Sequence, residues 1–377
     1  MPRERVLRSF RDAIGRGHLK PGERLASETA VATEHGVSRG TVRAALAELE
    51  QEGLIVSRKN CGRIVASAGA GHALLSQSFL MVSAVGHVPE LVPGRATSGD
   101  FELGVMTAAS EAGLHPVVLN KAGFFDGYFE SLLNGNPVGV LVCDGFYEDE
   151  DCHRALNHAY GAGRPIAVYG DHPSLERYDR VISDHETGAA MLAGELLRRG
   201  CRNVLRVWTM PETHTTYWRE ARNRGFETVM RDAGLQPPPA LYAEYMEDRD
   251  KGRLHTFDKR VRMYAGYLTE HLLDPEPIDG LMLTTDSDFF PAAAACRLFG
   301  KTPGRDIMLA GYDNYWSTCD ERELERSAPT ATVDRRGRVL GTTLFSMLKE
   351  RIDAAAGGDA PTDSRLAVIP PRLVVTE

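Results

Sequence analysis

Gly36-Val37-Ser38-Arg39-Gly40-Thr41-Val42-Arg43-Ala44-Ala45-Leu46-Ala47-Glu48-Leu49-Glu50 decides how the front of the chain folds. Gly36 supplies the backbone freedom of a turn, and Ser38 is a favoured N-cap. Val42, Leu46 and Leu49, with Ala45, recur at helical spacing, so one face of the predicted helix is buried. The first turn carries Arg39, Thr41 and Arg43 instead. Cations crowd the positive end of the helix dipole, where stability alone favours acids. That pattern suits a helix whose start meets an anion, as a recognition helix does in the major groove. A basic surface helix in an ordinary helical domain is the plainer alternative.

The flanking residues favour the first reading. Leu54-Ile55-Val56 and Ile64-Val65 bracket Ser57-Arg58-Lys59-Asn60-Cys61-Gly62-Arg63, the pattern of a hairpin with a basic tip. Upstream, a helix is predicted over Arg3 to Arg16, a turn at Pro21-Gly22 and a second helix over Ser27 to His35. Three helices followed by a two-stranded basic wing make a winged helix-turn-helix.

Residues 11–66 resemble the DNA-binding domain of the GntR family of bacterial transcription regulators. The resemblance rests on Leu19-Lys20-Pro21-Gly22-Glu23-Arg24-Leu25-Ala26-Ser27-Glu28, on Val37 to Arg43, and on Leu46, Leu49 and Gly53-Leu54-Ile55. It implies DNA contacts from Ser38, Arg39, Thr41 and Arg43 on the helix, and from Lys59, Asn60 and Arg63 in the wing. Thr29 stands where the family often has an arginine, and Asn60-Cys61-Gly62-Arg63 replaces the usual Gly-x-Gly-Thr.

The chain has 377 residues, enough for two or three units. Its charge is uneven: residues 1–67 hold 12 Lys+Arg against 8 Asp+Glu, leaving 32 against 44 behind them. A basic head on an acidic body suits nucleic-acid binding confined to the head. The N-terminus does not read as a signal peptide, and the apolar runs fall short of the ~18 residues that span a bilayer. Six cysteines without a Cys-x-x-Cys pair read as reduced thiols, so a cytoplasmic protein is expected. Cys61 reads as a small filler, with an exposed redox handle as the alternative.

Three segments follow from this: a winged helix-turn-helix over 1–67, a small-residue linker over 68–78, and a body over 79–377. Within the body, strand-like runs such as Phe79–Ser83, Val138–Cys143, Asn203–Trp208 and Gly280–Leu283 alternate with helical segments. That alternation predicts α/β architecture, here two doubly wound parallel-sheet lobes with a cleft at the carboxyl ends of the strands. Lobe 1 is expected to take 79–183 and 330–361, and lobe 2 to take 184–329 and 362–377.

The body resembles the LacI-type effector domain, which shares the type I periplasmic-binding-protein fold. The resemblance lies in Asp184 to Gly200, in Arg222-x-x-Gly225-Phe226, and in Asp286 through Asp306-Ile307-Met308-Leu309-Ala310-Gly311-Tyr312-Asp313-Asn314. It implies a ligand held by Asp171 (after the strand preceding the crossover), Arg222, Thr285 and Asp313, with Trp218 and Tyr217 near Arg222. Carboxylates accepting from adjacent hydroxyls beside a planar guanidinium suit a polyol. Taken singly, each of these acids reads as a surface residue or a helix cap. Core packing is the alternative for the two aromatics.

Other features are discounted. Glu148-Asp149-Glu150-Asp151 reads as a solvated loop, His153 and His158 lack metal spacing, and Asp286-Ser287-Asp288 reads as a helix start. No phosphate loop, nucleophile elbow, metal set or cofactor motif is present, so no enzyme and no cofactor are expected. GntR-type heads on LacI-type bodies occur in regulators similar to arabinose repressors. The resemblance therefore implies a homodimeric transcription repressor of carbohydrate metabolism, binding operator DNA and a sugar-like effector. The alternatives are a head fused to an enzyme, or a DNA-binding protein without ligand response.

Overall fold

The computed structural model describes residues 2–15, 18–20, 22–51, 54–58, 62–66, 77–83, 99–119, 128–143, 150–213, 216–243, 253–357 and 363–376. The head holds α1 (Pro2–Gly15), α2 (Glu28–His35), α3 (Arg39–Gln51), β1 (Ile55–Arg58) and β2 (Gly62–Val65). Ser27 caps α2, its hydroxyl accepting from the Ala30 amide, and Gly36 ends that helix at φ 63°. A left-handed φ costs glycine nothing, so the chain turns there directly into α3. Val42, Ala45, Leu46 and Leu49 are buried against Val6, Leu7, Val31 and Ile55, as the spacing required. β1 and β2 pair antiparallel from Ile55↔Val65 to Arg58↔Gly62, and Arg24 adds a bridge to Ile64. Lys59, Asn60 and Cys61 at the wing tip lie outside the described residues, as does the expected linker apart from Gln77 and Ser78.

The body runs β3 (Ser78–Val82), α4 (Gly99–Glu111), β4 (His115–Leu119), α5 (Tyr128–Asn134), β5 (Val140–Val142), α6 (Glu150–Gly161), β6 (Ile166–Tyr169) and β7 (Asp179–Ser183). It continues α7 (His185–Arg198), β8 (Val204–Trp208), α8 (Tyr217–Asp232), β9 (Leu241–Tyr242), α9 (Arg253–Leu273), β10 (Gly280–Leu283), α10 (Asp286–Leu298) and β11 (Met308–Ala310). It ends with β12 (Ala331–Asp334), α11 (Gly337–Gly357), β13 (Leu366–Ile369) and β14 (Arg372–Val375). One sheet has the order β13-β7-β6-β5-β3-β4 and is parallel throughout. The other has the order β14-β12-β11-β10-β8-β9, with β14 alone antiparallel to its neighbour. Helices cover both faces, so the central strands are apolar without alternation: β3, β5, β8 and β10 are buried at every position.

The lobe division read from the sequence needs two corrections. β12, expected in lobe 1, pairs with β11 and β14 in the second sheet. β13, expected in lobe 2, pairs with β7 in the first. α11 between them does pack on lobe 1, its Leu340, Leu344 and Leu348 joining Phe79, Phe101 and Leu141. The chain therefore crosses between lobes after β7, after β12 and after β13. A four-residue apolar run reads alike in either sheet, which is why the pattern could not place these strands. Glu150 and Asp151 open α6 instead of lying in a loop.

Candidate functional site

Two groups of the expected side chains come together, one on the head and one between the lobes. On the head, Ser38 caps α3: its Oγ accepts from the Thr41 amide at 3.1 Å and lies 2.8 Å from the Thr41 hydroxyl. Arg39 and Arg43 are both exposed at the start of the helix, but they differ. Arg43 donates to Glu28 through Nε at 3.3 Å and Nη2 at 2.9 Å, while Arg63 from the wing donates to the same carboxylate at 2.8 Å. Arg63 also reaches Glu50 at 3.3 Å. The hydrogen bonds from Arg43 and then Arg63 hold the Glu28 carboxyl down at about 2. Arg39 has no acidic partner among the described residues. Glu28 thus ties α2, α3 and the wing together and presets two of the three arginines expected at DNA.

Between the lobes, the expected residues sit on different kinds of element. Asp171 follows β6, one strand earlier than the crossover, where Asp184 caps α7 by accepting from the Thr187 amide at 2.9 Å. Thr285 stands two residues past β10 as the N-cap of α10, and Asp313 follows β11 at φ 90° with Asn314 at 57°. Two successive non-glycine residues in the left-handed region are uncommon, and such strain gathers at functional sites. Arg222 lies on α8 rather than at a strand end. A close helix crossing admits it: a β-carbon on Gly225 would overlap the Glu186 carbonyl of α7.

Arg222 is 3% exposed and is the fixed point of the cleft. Its guanidinium lies 3.3 Å from the centre of the Tyr312 ring and 4.5 Å from that of Trp218, a cation held between two aromatic faces. Nη1 donates to the Thr284 carbonyl at 2.8 Å, and Nε points to His185 Nδ1 at 3.4 Å. The Tyr312 hydroxyl lies 3.3 Å from the same imidazole nitrogen. Burial, then the charges of Arg222 and Arg335, keeps the His185 pKa far below its usual range, so the ring is a neutral acceptor. Trp218 packs edge-on against Trp208 with centroids 5.9 Å apart, so it braces Arg222 within lobe 2.

Sequence reasoning missed the residue that joins the two lobes here. Arg335, just after β12 at a crossover, has Nε 2.5 Å from Asp313 Oδ1 and donates from Nη1 to the Tyr169 hydroxyl of lobe 1 at 3.2 Å. Burial opposes its charge, but Asp313, Tyr169 and Tyr312 outweigh that and raise its pKa. The Arg335-Arg336 pair behind an apolar run was the one available signal, and it passes equally for an exposed turn. Asp171 is part-buried with its pKa raised by desolvation, against the pull of Arg180, His172 and Arg224. Asp171 stands two residues beyond Tyr169, whose hydroxyl accepts from Arg335. Thr285 belongs to a neighbouring network: its hydroxyl lies 2.9 Å from Ser287 Oγ and 3.4 Å from Asp288 Oδ2, and Asp288 pairs with Arg260 at 2.8 Å.

Asp286 has a different task. Its carboxylate accepts from the Tyr315 and Trp316 amides at 2.7 and 3.0 Å and from the Thr332 hydroxyl at 2.7 Å. It thereby fixes the turn that presents Tyr312 and Asp313. A cavity of about 360 Å³ lies elsewhere, where β6 and β7 begin, walled by Tyr160, Arg164, Arg177, Tyr178, Arg351 and Ser364. Its arginines already bond to Pro137, Asn157 and Asp179, and none of the expected ligand residues lines it. Among the described residues no group of three or more His, Cys, Asp or Glu could hold a metal, and no helix is long and apolar enough to cross a membrane. Cys143, Cys152, Cys201, Cys296 and Cys319 are buried.

A three-helix head with a wing, followed by a two-lobed α/β body with a polar cleft, defines a DNA-binding domain coupled to a small-molecule-binding domain. Known proteins bear this out. Residues 2–65 match the bacterial regulatory proteins of the gntR family, and residues 193–377 match the periplasmic binding protein-like domain. An uncharacterized HTH-type transcriptional regulator of Mycobacterium tuberculosis is 33% identical over 211 residues, covering 51% of this chain and 81% of that protein. The mannosyl-D-glycerate transport/metabolism system repressor of Escherichia coli is 47% identical over 56 residues, which span 15% of this chain and only 23% of that repressor. Among solved structures, the transcriptional regulator CelR in complex with cellobiose superposes with a TM-score of 0.61 at 18% identity, covering 93% of this chain and 99% of that one. A LacI family regulator from Enterococcus faecium with bound ribose gives 0.57 at 16% identity, covering 79% and 96%. The chain belongs to the gntR family of bacterial regulatory proteins, and it carries a periplasmic-binding-protein-like body behind its DNA-binding head.

Proposed function

We propose that the chain is a one-component repressor of carbohydrate-metabolism genes, working as a cytoplasmic homodimer and not as an enzyme. Each head reads one half of a pseudo-palindromic operator, with the two recognition helices about 34 Å apart in successive major grooves. Ser38, Arg39, Thr41 and Arg43 meet DNA from α3, and Lys59, Asn60 and Arg63 from the wing. A small hydroxylated effector enters between the lobes, where Asp171 accepts from its hydroxyls, Arg222 and Arg335 donate, and Asp313 and Thr285 line lobe 2. An effector that prefers one lobe arrangement shifts the placement of the paired heads, and only that difference in affinity releases DNA.

The observation that carries this reading is Arg335, which spans the gap between Asp313 of lobe 2 and the Tyr169 hydroxyl of lobe 1, with Arg222 stacked on the neighbouring Tyr312. A group spanning that gap bears on both lobes at once. The relatives' ligands point the same way, since cellobiose and ribose occupy two of the similar bodies and a mannosyl-glycerate system is controlled by a similar head. The test is thermal stabilisation across a panel of neutral and acidic sugars. At least one compound is expected to raise the melting temperature, and Arg222→Gln is expected to abolish that rise. A panel without any shift would contradict the reading.

A further inference from the structure

We infer that Arg24 and Arg58 form a second DNA-contacting edge on the wing, gripping backbone phosphates beside the groove that α3 enters. The inference rests on the head binding operator DNA and adds two residues to that surface. Residues 22–25, upstream of α2, lie extended along β2 on the side away from β1. The Gly22 amide donates to the Val65 carbonyl at 3.0 Å, the Val65 amide to the Glu23 carbonyl at 2.8 Å, and the Leu25 amide to the Arg63 carbonyl at 3.0 Å. Arg24 stands opposite Ile64 on this segment, and Arg58 stands opposite Gly62 on β1. Residues directly opposite in an antiparallel pair share a face, as do alternate residues along one strand. Arg24, Arg58, Gly62 and Ile64 therefore lie on one face of the wing. The guanidinium of Arg24 reaches over Gly62: a β-carbon there would stand 3.7 Å from both its Nε and its Nη2.

The two faces of the wing differ in charge. On the inner face Arg63 is tied to Glu28 and Glu50, and the Ser57 hydroxyl bonds to Glu50 as well. On the other face Arg24, Val56 and Arg58 are exposed, and neither arginine has an acidic partner among the described residues. The tip sequence, Lys59-Asn60-Cys61, adds a cation and no acid. Like charges gathered on one face of a small sheet repel, so fold stability does not call for them. A row of phosphates does, since each cation laid against it displaces a counterion. The position fits. Arg63 and Arg43 share the Glu28 carboxylate, which sets this end of the wing beside the first turn of α3. Arg58 and Gly62 are one rung nearer the tip than Ser57 and Arg63. The cationic surface of α3 thus continues through Arg63 onto the wing and ends at Arg24 and Arg58. These two come from strands on either side of β2, about 10 Å apart at the backbone, so each meets its own phosphate.

The test measures binding of the full chain across a salt series, to a duplex that the wild type selects from a random pool and to one of unrelated sequence. Arg24→Gln and Arg58→Gln should each reduce the slope of log K against log salt by about 0.9 on either duplex, and the double variant by about twice that. Arg24→Lys, which keeps the charge, should hold the wild-type slope. Phosphates carry no sequence information, so the preference for the selected duplex should stay the same in every variant. Both side chains are exposed, and the variants are expected to melt with the wild type. A wild-type slope in the double variant overturns the inference and leaves DNA binding by α3 standing. A loss confined to the selected duplex overturns it too, by making the pair readers of bases. A wild-type chain that binds neither duplex overturns it together with the reading beneath it.

Discussion

Arg335 and Asp313 form an ion pair with Nε and Oδ1 2.5 Å apart, and the same guanidinium reaches the Tyr169 hydroxyl of the other lobe. The side chains are 22% and 7% exposed, so little water competes. Removing one partner leaves a buried charge alone, which typically costs about 3–5 kcal/mol. Arg335→Ala should therefore lower the unfolding midpoint of the body, and adding Asp313→Asn should restore much of the loss. A urea double-mutant cycle measures this coupling, and purely additive losses would show that the pair is not one unit.

On the head, Glu28 offsets Arg43 and Arg63 before any DNA arrives. Glu28→Gln should raise affinity for unrelated duplex and steepen its salt dependence, because two guanidiniums become free to displace counterions. It should also narrow the margin between operator and unrelated DNA. Filter binding across a salt series decides it, and an unchanged slope would mean that the arginines are already released in the wild type.

Arg39, exposed and without an acidic partner among the described residues, should matter most for base reading. Arg39→Ala is expected to weaken operator binding by about 1–3 kcal/mol and to relax preference at one base pair. Lys59→Ala, in contrast, should weaken all duplexes alike. Competition assays with single-base operator variants separate the two outcomes.

α7 and α8 cross closely at Gly225, and the Arg222 side chain projects one turn before it. A methyl group there meets the Glu186 backbone, which cannot swing aside. Gly225→Ala should cost about 1–3 kcal/mol and also loosen ligand response, since the crossing sets where Arg222 stands. Unaltered melting and response would show that the crossing relaxes at little cost.

Asp286 gives the body a pH dependence of definite sign. Burial raises its carboxyl from 3.8 to about 7, against the donors Thr332, Trp316 and Tyr315. Between those values the folded chain holds a proton that the unfolded chain releases, so stability falls as pH rises from about 4 to about 7 and is level above. Glu28 acts oppositely: its lowered pKa makes the head lose stability only below about 4.5. Asp286→Asn keeps an acceptor for the two amides and a donor for Thr332. Urea midpoints at about pH 5 and about pH 8 should differ less in this variant than in the wild type. An equal difference would assign the titration to another group.

Much of this was legible in the sequence, for physical reasons that differ between the two halves. In the head, the periodicity of Val42, Leu46 and Leu49 and the caps Ser27, Gly36 and Ser38 are local, so one stretch sufficed. In the body, the alternation of strands and helices is local, but the sheet that a strand joins is not. β12 and β13 went to the wrong lobes on that account. Arg222 and Asp313 stood out through motif spacing. Arg335 did not, because its role exists only where a crossover brings Tyr169 and Asp313 within reach of one side chain. Likewise, nothing at Glu28 announced two arginines arriving from α3 and the wing.

The central claim is that a small molecule in the cleft sets the affinity of the head for its operator. It is tested most directly by fluorescence anisotropy, using a duplex that the wild-type chain selects from a random pool. The titration is run with and without the compound that most raises the melting temperature. The account expects the operator Kd to change by about 5- to 150-fold, and the same compound to leave the Arg222→Gln chain unaffected. An operator Kd that stays the same at saturating compound would contradict it.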